Sequence, residues 1–325
     1  MRRREFLTLL GGVAAAAWPV GAAAEKLPSA HRIGVLAQDL QPGLLETFRD
    51  RLRELGYVEG TSIAIELRNA AGRNELLAAF AEELLRLNAE VIVAVNTPAA
   101  LSAKKATATV PIVIMRVADP VRSGLVASLA RPGGNVTGLS FMPDALGPKG
   151  VELLTRVLPK ARRMAALYQG NNPGAVLIVA EVERTGAQLG LQFVRLPVRG
   201  PGDYEHAFEM ASRAQSEALF VMDDGAITQH RQEILDLAAK RNLPVVSIYR
   251  DFARAGGLIA YGPNLKTVYR RAADYVDKLI KGARASDLPV EQPVSFDLAI
   301  NLKTAKALGL TIPQSVLILA DEVIE

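Results

Sequence analysis

The chain has 325 residues, half of them hydrophobic, a formal net charge of +4 at pH 7 and no cysteine. The lack of cysteine excludes disulfides, thiolate metal sites and a lipid-modified amino-terminal cysteine. The net charge is small and its acidic and basic residues are interspersed, so neither nucleic acid nor an anionic membrane surface is indicated as a partner.

The first 24 residues have the features of a secretory signal. Three arginines at positions 2–4 precede a short apolar stretch, and three alanines at 22–24 form a small-residue cleavage pattern before Glu25. The apolar stretch is too short to cross a bilayer. The core Arg3-Arg4-x-Phe6-Leu7 resembles a twin-arginine signal, and an ordinary Sec signal that starts with arginines is the alternative. Because residues 1–24 hold three Arg and one Glu, the mature chain carries a net charge of +2.

The remaining part, about 300 residues, alternates between buried strands and amphipathic helices, and it is long enough for two domains. Helical spacing of three and four between apolar residues is seen over 45–55 and 77–87. Apolar runs without alternation are typical of strands that are buried on both faces. Six such runs lie at 33–37, 91–95, 111–115, 164–168, 218–222 and 244–248. This order predicts an α/β fold with mainly parallel sheets and right-handed crossovers. No later apolar run has the length of a transmembrane helix, so no membrane insertion is predicted.

The alternation runs twice, which predicts two similar lobes. Arg32–Gln38 opens the first half and Arg163–Gln169 opens the second, and each leads into a helix that ends in Leu-Gly and then into another strand. A Pro/Gly-rich turn at 131–138 lies between the halves, in front of a segment that crosses between lobes. Two further crossings are predicted near 258–264 and 288–293.

Long motifs are spread over essentially the whole chain. They are Leu55–Gly60, Asp119–Val121, Arg131–Gly138, Asp287–Pro293, Asn301–Leu310 and the two ends, Met1–Gly12 and Ala320–Glu325. These motifs resemble the ABC-transporter substrate-binding proteins that are related to tryptophan and tyrosine transport components. The resemblance implies a periplasmic-binding-protein fold, in which two Rossmann-like lobes are joined by a three-crossover hinge and a ligand binds in the cleft between them.

The resemblance also implies an ABC permease and an ATPase as partner subunits, a periplasmic location and an amino acid or related compound as ligand. For this chain it predicts an amino-terminal lobe of residues 25–140 plus 262–288 and a carboxy-terminal lobe of 141–261 plus 289–325. We expect a monomer that closes about its hinge when a ligand contacts both lobes.

Asn96-Thr97-Pro98 follows the strand at 91–95 and predicts the start of a helix at the cleft. Thr97 suits the N-cap, and Pro98 suits the first helical position because its missing N–H loses no hydrogen bond there. The free amides of Ala99 and Ala100 then favour a ligand carboxylate. The alternative is a well-capped helix with nothing bound.

Ligands of doubly wound sheets meet the loops at the carboxyl ends of the strands. The polar residues at these ends are Gln38, Asp39, Asp119, Asp223 and Asp224. A carboxylate there suits a ligand ammonium group, because burial of a cation without a partner is costly. The alternative for each Asp is an N-cap or an Asx turn, above all for Asp119, which precedes a proline. Asp224 matches the usual acidic position of the resembled family.

Aromatic residues near strand ends are candidates for the wall around an apolar ligand side chain, with packing in a lobe core as the alternative. They are Phe141, Tyr168, Tyr249 and Tyr261. The sequence departs from the resembled family at Ser247, where that family has a tyrosine, while Tyr249 follows two residues later with the same strand parity. This departure leaves the identity of the ligand open.

Motifs of catalysis are missing from the sequence: there is no G-x-S-x-G turn, phosphate loop, H-E-x-x-H or G-x-G-x-x-G. His31, His206 and His230 do not have metal-ligand spacing. The sequence therefore predicts a binding protein without a cofactor rather than an exported enzyme. A ligand-sensing partner of a membrane receptor has the same fold and cleft, and it is the alternative to an importer component.

Overall fold

The computed structural model describes residues 30–41, 43–141, 143–222 and 224–325. The predicted signal segment, residues 1–24, and the candidate Asp223 lie outside these residues. The described chain forms two α/β lobes, one on a five-stranded sheet and one on a seven-stranded sheet. The predicted fold class is confirmed.

The first sheet is entirely parallel, with the strand order β2-β1-β3-β4-β5. Its strands are β1 (His31–Ala37), β2 (Ile63–Asn69), β3 (Val91–Val95), β4 (Ile112–Ala118) and β5 (Val136–Phe141). Helices α1 (Leu44–Glu54), α2 (Leu77–Arg86) and α3 (Thr97–Ala106) connect them, with a short 3-10 turn at Asn74–Leu76. Every residue of β3 and β4 is buried, as expected for central strands that are covered on both faces.

The second sheet has the order β12-β11-β10-β9-β8-β6-β7. Its strands are β6 (Arg163–Gln169), β7 (Gln192–Val198), β8 (Ala218–Val221), β9 (Val245–Ser247), β10 (Ile259–Pro263), β11 (Phe296–Asn301) and β12 (Glu322–Ile324). The helices of the second half are α4 (Pro143–Val157), α5 (Pro173–Gln188), α6 (Tyr204–Arg213), α7 (Gly225–Gln229), α8 (Arg231–Lys240), α9 (Arg250–Arg254), α10 (Leu265–Ile280), α11 (Leu302–Ala307) and α12 (Gln314–Leu317), with 3-10 turns at Pro201–Asp203 and Ala285–Asp287.

The chain crosses between the sheets three times in the described residues. After β5, α4 packs on α5 and β10 of the second lobe; after β10, α10 returns to pack on α1 and β4 of the first lobe. The chain then pairs with β5 before it enters β11. The chain leaves β10 and enters β11 at the same end of these two strands, so β11 runs antiparallel to β10.

The observed pairings shift the predicted lobe divisions by a few residues. Phe141 pairs with Ala118 in the first sheet, and Gly262–Pro263 belong to β10 in the second. The amides of Val290 and Glu291 donate to carbonyls of the first lobe, at Leu129 and Gly138. These residues were predicted in the opposite lobes; the division into lobes otherwise stays a prediction.

The helical spacing in the sequence places apolar side chains on the buried faces. In α1 it buries Leu45, Phe48 and Leu52, and in α2 it buries Leu77 and Leu84. No helix within the four described ranges has both the length and the apolar character that a bilayer span needs.

Candidate ligand-binding site

A narrow cavity of about 10 Å³ lies between the two lobes, where the carboxyl ends of the parallel strands of both sheets face each other. This is the edge at which doubly wound sheets bind ligands. The first lobe lines it with Asn96, Thr97, Arg116, Ala118 and Phe141, and the second with Asn172, Gly174, Ala175, Ile178, Met222, Asp224 and Tyr249.

Two helices, one from each lobe, begin at this cavity. In α5 the N-cap is Asn172, whose Oδ1 accepts hydrogen bonds from the amides of Gly174 at 3.0 Å and Ala175 at 3.4 Å. In α3 the N-cap is Asn96, which has a φ of +76° and no side-chain capping bond. The positive ends of both helix dipoles therefore point at the same cavity, which favours an anionic group there.

The sequence predicts Thr97 as the N-cap of α3, and this prediction is wrong by one residue. Helix α3 begins at Thr97 and its N-cap is Asn96. The Thr97 hydroxyl accepts a hydrogen bond from the amide of Ala118 at 3.3 Å, because this buried amide lies at the end of β4 beside it. The amide of Ala100 donates to the carbonyl of Asn96 at 3.0 Å, so it is not available to a ligand.

Arg116 projects a positive charge into the cavity, and the sequence reasoning missed it. It is 3% exposed, and its guanidinium carbon lies 4.6 Å from the centre of the Tyr249 ring of the other lobe. Its Nε donates to the Tyr249 hydroxyl at 3.2 Å. Arg116 is the one charged residue in the apolar strand β4, and that interruption was the available signal.

Asp224 is buried at the cavity and also caps a helix. Its Oδ1 accepts from the amide of Ile227 at 3.3 Å, in the first turn of α7, and its Oδ2 accepts from Asn172 Nδ2 at 3.0 Å. Asp224 thus fits both the predicted ligand contact and the N-cap that was its alternative.

The chain is similar in sequence to known proteins. The family described as "ABC transporter substrate binding protein" matches residues 33–324 of the chain. The chain belongs to this family of substrate-binding proteins. The tyrosine-binding protein of Clostridioides difficile (strain R20291) is 26% identical to it over 264 residues, which are 81% of this chain and 75% of that protein.

Two solved structures of similar sequence differ in how well they superpose on this chain. An ABC domain from Streptococcus pneumoniae in complex with L-Trp has 27% identity and a TM-score of 0.85, over 91% of this chain and 100% of that one. The ligand-free, open structure of a Clostridium difficile substrate-binding protein with adhesive properties has 25% identity but a TM-score of 0.66, over 91% and 99%. Since identity and coverage are nearly equal, the lobes of the present substrate-binding protein are arranged more like those of the L-Trp complex.

Direct hydrogen bonds hold the lobes of the substrate-binding protein together. Gln38 accepts from Asn96 Nδ2 at 3.1 Å and donates to Gln169 Oε1 in the second lobe at 2.9 Å. Asp39 Oδ1 accepts from Gln229 Nε2 at 2.7 Å. Burial raises the pKa of Asp39 more than the Arg116 charge and the hydrogen bond from Gln229 lower it. Neither Gln38 nor Asp39 lines the cavity; both contribute to the lobe interface beside it.

Four other predicted residues also lie away from the cavity. Asp119 has a φ of +39° and its Oδ1 accepts from the amide of Arg122 at 2.9 Å, which is the turn predicted as its alternative. Tyr261 stacks on Phe296 with ring centres 5.7 Å apart. Tyr168 and Ala99 are buried, Tyr168 beside Arg195 and Ala99 inside α3.

The cavity contains five of the predicted residues: Asn96, Thr97, Phe141, Asp224 and Tyr249. The rings of Phe141 and Tyr249 are 6.2 Å apart and come from opposite lobes. Ser247, the departure from the family, is buried and does not line the cavity, whereas Tyr249 does. Which of these residues bind ligand stays a prediction.

A repeated motif could have found the second helix start. Asn172-Pro173 follows β6 as Thr97-Pro98 follows β3, and both pairs open a helix at the cavity. In the described part of the chain, no group of three or more His, Cys, Asp or Glu residues is placed to hold a metal ion.

Proposed function

We propose that this protein captures an amino acid between its lobes as the binding component of an ABC importer. One observation carries the proposal: helix amino termini from both lobes and a buried carboxylate border the same cavity between the lobes. The start of α3 suits the ligand carboxylate, whereas the amides of Gly174 and Ala175 at the start of α5 already donate to Asn172 Oδ1. Asp224 suits the ligand ammonium group, since a buried cation needs a partner.

The apolar lining of the cavity and the relatives support a ligand of this class. At about 10 Å³ the cavity is far smaller than the pockets of roughly 300–1,000 Å³ that hold drug-sized ligands, so a ligand requires the lobes to move apart. Ile178, Met222 and Phe141 give part of it an apolar lining. One relative is named for tyrosine and another is solved with L-Trp, and both are amino acids.

Capture works by hinge closure. A ligand that contacts both lobes binds the closed form better than the open form, so it shifts the population towards closure. Closure excludes water from the two helix starts and Asp224, which strengthens each charged hydrogen bond to the ligand. The bonds from Gln38 to Gln169 and from Gln229 to Asp39 add to the closed form, because each joins the two lobes.

We further propose that the protein is exported and works with membrane partners. Residues 1–24 act as a signal of the twin-arginine type that is removed before Glu25, and the mature monomer works in the periplasm. It delivers its ligand to a permease that an ATPase drives, and it catalyses no reaction. The pattern of the first 24 residues and the family membership support these points.

The test is a binding screen of the chain from Glu25 onward against the twenty L-amino acids, by thermal shift and then by calorimetry. A ligand that binds only the native state raises the melting midpoint, and we expect at least one amino acid to do so with one site per chain. The variant Asp224→Asn keeps a good N-cap residue but removes the charge, so it should bind more weakly. The control is Asp50→Asn, on the exposed surface of α1. If no amino acid binds the wild type, the proposed function is wrong.

A further inference from the structure

A second pocket, of about 140 Å³, lies beside the hinge, where the loop after β1 meets helix α9 and the passage from β10 into α10. We call it the hinge pocket. Its charged and amide lining residues are Gln41, Arg250, Asp251, Arg254, Lys266 and Asp297. Tyr249 lines both this pocket and the cavity between the lobes, so the two spaces are neighbours. Roughly 10–15 Å³ is enough for one water molecule, so the hinge pocket has room for a small solute.

The side-chain amide of Gln41 indicates which chemistry that solute must have. Gln41 is 5% exposed and lines the hinge pocket, and its Nε2 is buried without a hydrogen-bond partner among the described residues. Buried polar groups without a partner are rare in native proteins, because their desolvation is not compensated. Nε2 carries two N–H groups and can only donate. The missing partner is therefore a group that accepts hydrogen bonds.

The start of α10 adds donors and positive potential to the same pocket. This helix has 16 residues, and its first two, Leu265 and Lys266, line the pocket. The first amides of a helix have no acceptor within it, and the Asn264 side chain caps the amide of Thr267 at 3.0 Å rather than those of Leu265 or Lys266. The helix dipole favours an anion here. The Lys266 ammonium group, which has no ion pair within the described chain, adds a full positive charge.

The acidic residues of the lining do not call for a cation from solution, because each already has a cationic partner. Asp297 Oδ2 pairs with Arg250 Nη2 at 2.8 Å, and its Oδ1 accepts from Asn264 Nδ2 at 3.0 Å. Asp251 Oδ1 pairs with Arg254 Nη1 at 3.4 Å. The groups that remain for a solute are thus the Gln41 amide, the first amides of α10 and the Lys266 ammonium group. All of these are donors, and two of the three features favour negative charge.

We infer that the hinge pocket binds a small oxyanion, with the oxygen chemistry of phosphate or sulfate. Gln41 Nε2 and the amides at the start of α10 donate to its oxygens, and Lys266 balances its charge. This site is separate from the cavity between the lobes, and the inference does not rest on the proposed function.

The experiment is a calorimetric titration of the chain from Glu25 onward with sodium phosphate and with sodium sulfate. Sodium chloride keeps the ionic strength constant, because salt screens exposed charges. We expect saturable binding of at least one of the two anions, with one site per chain. Gln41→Glu replaces the donors by a carboxylate of nearly equal size, so the affinity should fall roughly 10-fold or more. Lys266→Gln removes an exposed charge and should weaken binding about 2- to 5-fold.

Two matched controls make the same changes of charge at exposed positions away from the pocket. Gln188→Glu at the end of α5 and Lys240→Gln at the end of α8 should bind the anion as the wild type does. The inference is overturned if neither phosphate nor sulfate binds saturably. It is also overturned if binding survives both Gln41→Glu and Lys266→Gln, or if the controls weaken it equally. Lys266 is exposed, so its variant gives an answer even if Gln41→Glu does not fold. None of these outcomes bears on the amino-acid screen, which reports on the other cavity.

Discussion

Gly174 lies at a close contact between the two lobes, and its replacement by alanine should oppose closure without harming either lobe. Gly174 is in the first turn of α5, where its backbone suits alanine. A Cβ built there would lie inside 3.0 Å of Thr97 Oγ1, a separation that real Cβ atoms do not show. It would also lie 3.1 Å from Thr97 Cβ and 3.3 Å from Ala118 Cβ. All three atoms belong to the opposite lobe, so the clash exists only in the closed form.

The expected shift from closed to open molecules follows from overpacking of this contact. An extra methyl group in a well-packed contact costs about 1–3 kcal/mol. This cost falls on the closed form alone and lowers the ratio of closed to open molecules by roughly 5- to 150-fold. Because the ligand binds the closed form, its affinity should fall by up to the same factor. The melting midpoint of each lobe should change little, since alanine is at least as good as glycine in a helix.

Single-molecule energy transfer between the lobes would measure the closed fraction directly. The chain has no cysteine, so Val58→Cys and Leu189→Cys on the two exposed lobe surfaces can be labelled without competition. The matched control is Gly150→Ala in α4, where a Cβ would meet nothing within 4 Å. Adding Thr97→Ala to Gly174→Ala removes the oxygen that is nearest to the new methyl group and should restore part of the closure. If Gly174→Ala closes as fully as the wild type and Gly150→Ala, the contact between α5 and Thr97 does not limit closure and our reasoning is refuted.

Three further predictions concern stability. Burial raises the pKa of Asp39, so this residue stabilises the fold fully below the usual pKa of 3.8, and the stabilisation is lost as pH rises through the raised value. The melting midpoint of Asp39→Asn minus that of the wild type should therefore grow between pH 4 and 8. A difference that stays constant would contradict this. Asn172→Ala removes the cap of α5 and should cost about 1 kcal/mol in urea unfolding, most of which Asn172→Ser should recover. Glu291 accepts two hydrogen bonds of 2.7 Å from Arg271, and these bonds lower the pKa of its carboxyl group. Its contribution to the stability of the fold is therefore present above the usual pKa of 4.5 and is lost as pH falls through the lowered value. Glu291→Gln should cost about 0.5–1 kcal/mol at pH 7 after solvent screening, and a cost that does not shrink in acid would argue against the ion pair.

The sequence by itself determined the fold class and the place of the cleft. Apolar runs without alternation gave the strands, for example 33–37 inside β1, and apolar spacing of three and four gave α1 over nearly its whole length. These patterns are local, because a strand or helix face repeats within a few residues. Since parallel strands all end at one edge, residues that directly follow a strand were good candidates for the cavity, and Asn96 and Asp224 are found there.

The tertiary structure alone decided which of these candidates meet and what each one contacts. The bond between Gln38 and Gln169 joins residues 131 positions apart, and no local pattern specifies such a pair. The Thr97 hydroxyl is used by the amide of Ala118, a partner that the pairing of β3 with β4 brings near. Arg116 enters the cavity only because a bulge opposite Gly138 turns it there. A strand pattern predicts alternating faces, whereas a bulge adds a residue and breaks that alternation. The sequence therefore shows a charge within β4, but only the paired sheet shows that this charge faces the cavity.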